Sequence, residues 1–330
     1  MKYTLKDVAL DTGFSISTVS RFLSGNRRYH NKKERIIFDS ANKLKYPYIH
    51  NFYNNGIKLK VPLITTIRKG EYFSALLSDF HIAAKNSNCD IEVIDIEKNE
   101  FINGKIESFV EEKDGLCILF PDMDKDDCNI LETYLNKIPI ISLSPIIDAS
   151  INTITFNNYN GGYLAAKHLN EQGYETFGII SGDDTIFEAS QRKNGFMDYL
   201  KLNKLSCKWE FRGNYSLESG NQAFIDFQNK KLTNIGIFGV NDYMCFGFMK
   251  LALLSGIKIP EKLSIIGFDN TPFCDNSIPE LSSISTNFIE LGQRALSSIE
   301  KSFIDFNKNE VSTNLVPVEL IDRTSTRKLN

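Results

Sequence analysis

From Val61 onward, short runs rich in β-branched residues alternate with helical patterns, and this alternation constrains the fold more than any other feature of the chain. VPLITTI (61–67), IEVIDI (91–96), GLCILF (115–120), IPIISL (138–143), residues 153–156, FGIISG (177–182), NIGIFG (234–239) and LSIIGF (263–268) read as strands. Helices are expected over 73–88, at LETYLNK (131–137), and over 160–172, 190–202 and 242–254. Strands that alternate with helices of this length form parallel sheets covered on both faces. Roughly 260 residues are more than one sheet usually needs, so two similar lobes are expected. Ligands of such folds sit beyond the carboxyl ends of the strands, here in the cleft between the lobes.

The residues that follow the expected strands are therefore candidates for ligand contact. Asn241 and Asp242 follow NIGIFGV, Asp269 and Asn270 follow LSIIGF, and Glu188 and Arg192 lie just beyond GIISG. Paired acceptors with an arginine fork suit the vicinal hydroxyls of a sugar. Tyr72, Phe156, Tyr215 and Phe288 are candidates to stack on its apolar face. Each residue also has a plainer reading. Asn241 and Asp242 can cap the helix that follows, Asp269 can serve a turn, and aromatics commonly fill cores.

The N-terminal segment TLKDVALDTGFSISTVSRFLSG (4–25) has a different pattern, that of two short helices joined by a tight turn. Thr4 and Asp7 have capping-box spacing, Gly13 suits a left-handed turn, and Ser15 can cap a second helix over 16–23, which Gly25 ends. On that helix Val19, Phe22 and Leu23 share one stripe, and Ile16, Ser17, Ser20, Arg21 and Ser24 share the other. The first stripe packs inward. The second carries groups suited to base edges: an arginine for guanine, hydroxyls, and an aliphatic for a thymine methyl. A third helix over 32–44 faces inward through Ile37, Ala41 and Leu44. Taken alone this is also the pattern of a plain helical hairpin.

Charge separates the two readings. Residues 1–60 hold 12 Lys/Arg against four acids, which leaves 26 against 37 for residues 61–330. A charge split this large points to a nucleic-acid-binding head on a soluble acidic body. No apolar run approaches the roughly 18–20 residues needed to span a bilayer, and MKYTLKDVA lacks the apolar stretch of an export signal. The expectation is a cytoplasmic protein with no membrane partner. Six cysteines without a C-x-x-C pair and four scattered histidines give no metal or disulfide framework, and no cofactor is expected. P-loop, G-x-S-x-G, H-E-x-x-H and dinucleotide motifs are missing, so the chain is not read as an enzyme; NYNGGYLAA (158–166) has paired glycines without the dinucleotide spacing.

These residues resemble the lactose-repressor (LacI/GalR) family of bacterial transcription regulators along nearly the whole chain. TLKDVALDTGFSISTVSRFLSG is similar to the family's N-terminal signature and KLKYP (43–47) to the end of its head. AAKHLNEQGYETFGIISG (165–182), QRKNGFMDYL (191–200), NDYMCFGFMKLALLSGIKIPEKLSIIGFDN (241–270) and PELSSISTNFIELGQRA (279–295) follow in the family's order. The resemblance implies an α/β fold: a two-lobed, periplasmic-binding-protein-like core of parallel sheets behind a small all-α helix-turn-helix head. It implies a head over 1–47, a hinge over 48–60 and a core over 61–330, with one lobe over 61–157 and 288–316 and the other over 158–287 and 317–330.

Carried over by position, Ile16, Ser17 and Arg21 read bases, and Ser15, Thr18 and Ser20 touch phosphates or support the helix. Arg192, Asn241 and Asp269 match the sugar-binding triad. Phe156, Tyr215 and Phe288 match the aromatic wall, with Glu188 at a neighbouring contact position. The implied partners are operator DNA, a second copy of the chain and a sugar-like effector that changes the angle between the lobes. Most simply the effector releases the repressor. The alternatives are a corepressor-dependent regulator and, in another class, a solute-binding protein, which needs export and no basic head. No heptad run follows Arg323, so no tetramerising coiled coil is expected.

Three departures from the family stand out. Asn54-Asn55-Gly56 occupies the place of a hinge helix whose wedge would be Ile57, YHNKKER (29–35) replaces the usual start of the third helix, and Asn157 replaces a frequent acid.

Overall fold

A computed structural model describes residues 3–24, 32–46, 58–68, 70–146, 150–304 and 311–327. Gly25, Pro47 and most of the 48–60 segment, including Ile57, lie outside the described residues.

The head has three helices, α1 (Leu5–Thr12), α2 (Ile16–Leu23) and α3 (Lys32–Lys43). The Asp7 carboxylate accepts from the Thr4 N–H and hydroxyl, both at 2.7 Å, which fixes the first turn of α1. Gly13 follows at φ +71°, with open space where a side chain would project. The next helix starts where Ser15 Oγ accepts from the Thr18 N–H at 3.2 Å. Val8, Val19, Phe22, Leu23, Ile37, Phe38 and Ala41 form the buried centre of the head. Burying each larger side chain contributes roughly 1.5–3 kcal/mol, enough to hold three short helices that would not persist alone. Asp11 ties α1 to α3 by accepting from Ser40 Oγ at 2.7 Å and Lys43 Nζ at 2.8 Å. The expected inward face of α3 is found at Ile37 and Ala41, with Phe38 in place of the half-buried Leu44.

Two sheets follow. The first is built from β1 (Leu59–Thr65), β2 (Cys89–Asp95), β3 (Leu116–Leu119), β4 (Ile140–Ser142), β5 (Asn152–Phe156) and a late strand over Thr313–Val316. Its order β2-β1-β3-β4-β5 is parallel throughout. The second contains β6 (Thr176–Ser181), β7 (Ser206–Arg212), β8 (Ile235–Gly239), β9 (Leu263–Asp269) and β10 (Ser282–Ser285) in the order β7-β6-β8-β9-β10. It is parallel too, and Glu319–Ile321 adds an antiparallel edge strand beside β10. Both sheets thus have the doubly wound order in which the strand sequence reverses between the first and third strands. The central strands β3, β8 and β9 are buried at every position, which is why they read as continuous apolar runs.

Residue contacts divide the chain into two compact units. The first comprises Met1–Ile67, Ser78–Thr153 and Gly292–Thr313; the second comprises Arg68–Leu77, Ile154–Leu291 and Asn314–Asn330. Within the first unit, Arg35 of α3 donates to the Val110 and Glu111 carbonyls at 2.7 and 3.2 Å and to Lys137 O at 3.1 Å. Val110 and Glu111 end a helix over Ile106–Glu112, so the guanidinium meets carbonyls that lack partners within their own helix. The Phe38 ring lies 5.0 Å from that of Phe303 in the same unit.

LETYLNK is helical only to Glu132. The helix spans Lys125–Glu132, set early by Asp124, which accepts from the Asp127 N–H at 2.9 Å, and residues 133–137 continue as turns. No helix among the described residues is long and apolar enough to cross a membrane.

Candidate functional site

All eight residues singled out for effector contact belong to the second unit. Arg192 is their centre. It lies on the helix over Phe187–Leu202 that follows β6, and it is 6 % exposed. Its Nε donates to Asn158 Oδ1 at 2.8 Å; Nη1 donates to Val240 O at 2.7 Å and to Asp269 Oδ1 at 3.3 Å. The guanidinium carbon lies 3.7 Å from the centroid of the Phe268 ring. A buried arginine is tolerable only with this degree of satisfaction, and the planar fork matches acceptors on three different elements.

Asp269 ends β9 with φ +104°, outside the ordinary strand region, so its carboxylate leaves the line of the strand and meets Arg192. Thr286 holds that turn by donating to Asp269 O at 3.0 Å. Burial pushes the carboxyl up to about 7; the Arg192 charge opposes the rise, and Asp242 and Glu188 add to it. Glu188 lies one helical turn before Arg192 and acts on the same group.

Asn241 caps the helix over Asp242–Leu254, its Oδ1 accepting from the Met244 N–H at 3.1 Å. Its other end donates from Nδ2 to Tyr215 O at 3.1 Å. Capping and site placement are therefore combined in one side chain. Asp242, expected beside Asn241 as an acceptor, acts on Asp269 only through its charge and bonds elsewhere. It is fully buried and faces the interior, accepting from Ser283 Oγ at 2.6 Å, from the Thr271 N–H at 2.8 Å and from Cys274 Sγ at 3.3 Å. It anchors the segment behind Asp269 to β10, and its burial raises it to about 6 against the lowering effect of the Ser283 and Thr271 bonds.

The aromatic residues form a chain of edge-to-face contacts. The Tyr72 and Phe288 rings are 5.2 Å apart and those of Phe156 and Phe288 5.4 Å, near-perpendicular in both pairs. Phe156 and Phe288 are buried, and Tyr72 is half-buried. Burial, then the charges of Asp269 and Glu188, hold the Tyr72 phenol above its ordinary range. Tyr215 sits at φ +67° against Gly182.

Two contributors escape a reading of strand ends as isolated side chains. Asn158, the nearest partner of Arg192 Nε, stands two residues after β5 in the segment NYNGG, where it reads as a helix start. Phe268 reads as core, yet its face carries the guanidinium. Asn157, one of the departures, caps the helix over Asn158–Glu171 by accepting from the Asn160 N–H at 3.1 Å.

In the head, Ile16, Ser17, Thr18 and Arg21 are exposed and Ser20 is half-buried, opposite buried Val19, Phe22 and Leu23. Ser15 Oγ links to Ser17 Oγ at 2.9 Å and Thr18 Oγ1 at 2.8 Å, so the N-terminus of α2 carries a hydroxyl cluster. Ser24 continues the exposed stripe.

A periplasmic-binding-protein-like domain family matches residues 166–326. The HTH-type transcriptional repressor PurR of Mannheimia succiniciproducens is 23% identical over 99% of both chains. Among solved structures, the Lac repressor dimer bound to operator and an anti-inducer aligns with a TM-score of 0.74 and 23% identity, covering 99% of this chain and 100% of that one. A LacI-family regulator from Enterococcus faecium with bound ribose aligns with a TM-score of 0.70 and 23% identity, covering 82% of this chain and 100% of that one.

A helix-turn-helix head joined to a periplasmic-binding-protein-like core defines a class of regulators rather than of enzymes or transport receptors. Within it, the chain is similar over nearly its whole length to HTH-type repressors and shares its fold with regulators of the lactose-repressor (LacI/GalR) family.

Proposed function

We propose that the chain is a sequence-specific DNA-binding repressor, dimeric and cytoplasmic, released from its operator by a small sugar-like effector held at Arg192, Asn241 and Asp269. One observation carries the reading. A single chain joins a helix whose exposed stripe of Ile16, Ser17 and Arg21 is fixed from behind by Val19 and Phe22 to a second unit whose strand ends converge on a buried arginine–carboxylate pair.

At the head, Arg21 supplies a fork for guanine O6 and N7, Ser17 a hydroxyl, and Ile16 an apolar contact for a thymine methyl. Ser15, Thr18 and Ser20 take phosphates or support the helix. Two such heads on a two-fold dimer read a near-palindromic site. At the second unit, Arg192 and Asn241 offer donors and Asp269 and Glu188 acceptors, with Tyr72, Phe156, Tyr215 and Phe288 as the apolar side. That mixture suits a polyhydroxyl ring, and ribose occupies the related regulator from Enterococcus faecium.

The test begins with a DNA site selected by the full chain from a random-sequence pool. Arg21→Ala should weaken binding to that site by about 1–3 kcal/mol and leave random DNA nearly unchanged. Equal weakening on both would make Arg21 a phosphate contact and remove the base-reading role.

A further inference from the structure

We propose that the Tyr215 hydroxyl is a hydrogen-bonding contact of the effector and selects for a ligand hydroxyl at that point. This rests on the sugar-effector reading above and replaces the role of Tyr215 as a purely apolar wall. Three observations meet in the residue. Its backbone is at φ +67°, a left-handed conformation that disfavours any residue with a Cβ. That conformation is held by Asn241 Nδ2, which donates to its carbonyl at 3.1 Å, and by the preceding Asn214, whose Oδ1 accepts from the Ser216 N–H at 3.2 Å and hydroxyl at 2.6 Å. Its ring lies over Gly182, where an added Cβ would stand 2.6 Å from the hydroxyl oxygen and 2.8 Å from Cζ. The hydroxyl oxygen itself is buried and has no hydrogen-bond partner among the described residues.

Strain and an unsatisfied buried hydroxyl in one residue are costs that a structural tyrosine would not carry, since phenylalanine would fill the same space without the second of them. The surroundings give the hydroxyl a use. The Cβ added at Gly182 would also stand 2.9 Å from Ala189 Cβ, so the hydroxyl lies against the helix that carries Glu188 and Arg192, whose charges act on the phenol together with that of Asp269. Burial holds it above the ordinary phenol range, so it remains a neutral O–H able to donate to one ligand oxygen and accept from another.

The experiment compares the full chain with its Tyr215→Phe variant by thermal shift and calorimetric titration. The probes are D-ribose, D-glucose, D-galactose and cellobiose, with monodeoxy analogues of whichever of them binds. Without sugar, the variant should unfold no lower than the wild type, because no hydrogen bond is lost. With a binding sugar its affinity should be roughly tenfold weaker or worse, because a ligand hydroxyl is left unpaired. One monodeoxy analogue should bind both proteins alike. Equal sugar affinity of the two proteins, or a lower ligand-free midpoint in the variant, overturns the assignment while leaving a sugar effector in place. Absence of any shift of the wild type across the panel overturns both.

Discussion

Gly162 packs against the main-chain carbonyl of Arg192 so closely that a Cβ would overlap the oxygen. The contact is reciprocal: Gly195 meets the Tyr159 carbonyl of the opposite helix in the same way. Gly161, next in line, makes room for the ring of Phe268, on which the Arg192 guanidinium lies. The paired glycines of NYNGG therefore fix the depth of Arg192 and the ring beneath it, which is a positioning role and not a phosphate-binding one.

Gly162→Ala must push two helices apart at backbone contact, where no side chain can yield. The expected cost is about 2–3 kcal/mol or more of stability. Sugar affinity should also fall, since Arg192 moves relative to Asn158, Val240 and Asp269. Gly13→Ala is the control. It meets nothing within 4 Å and carries only left-handed strain of roughly 1–2 kcal/mol, and it should leave sugar affinity unchanged. Unfolding midpoints and titrations of both variants check the contrast.

The Asp269 carboxyl gives the ligand-free protein a pH dependence of unusual sign. Its ordinary value is 3.8 and burial pushes it up to about 7. Between those values the folded chain holds a proton that the unfolded chain has released. Stability therefore falls as pH rises through this window and levels off above it. Asp242, raised to about 6, contributes in the same direction over a narrower range. Asp269→Asn should show a shallower decline in unfolding midpoint between about pH 5 and about pH 8. An identical slope in both proteins would mean that the Arg192 charge keeps Asp269 ionised throughout.

Arg35 and Phe38 attach the head to the remainder of the first unit through three carbonyl hydrogen bonds and one ring contact. Arg35→Ala removes these hydrogen bonds and a 3.9 Å ion pair to Asp39 within the same helix, and leaves the ring contact in place. It should accelerate protease cleavage between the third helix and β1 by severalfold while sugar binding is unchanged, because no effector residue touches it. Unchanged cleavage would mean that the Arg35 hydrogen bonds do not hold the head.

Much of this architecture is legible in the sequence, for a physical reason. Strands buried on both faces, such as β3, β8 and β9, leave continuous apolar runs that no other element produces. The edge strand β7, SCKWEFR, keeps only Trp209 fully buried and carries charges on its open side, so it gives no such run. The helix ending at Glu132 begins in KDDC, where only the Asp124 cap and the buried Asp127, Cys128 and Leu131 mark it. The rule that ligands meet strand ends brings Arg192, Asn241 and Asp269 to one place. It also proposes Asp242, which differs from Asn241 by a single position yet faces inward, because successive residues at a helix start point in different directions. Asn158 and Phe268 stay hidden because their roles exist only through Arg192, a partner more than thirty positions away in either direction.

If one chain couples DNA at the head to a sugar at the second unit, the two ligands must obey thermodynamic reciprocity. The affinity for the selected DNA site is measured with and without saturating sugar, and the affinity for that sugar with and without saturating DNA. Each ligand should weaken the other by the same factor, roughly 5- to 150-fold. Sugar affinity that is identical in the presence and absence of the DNA site would contradict it.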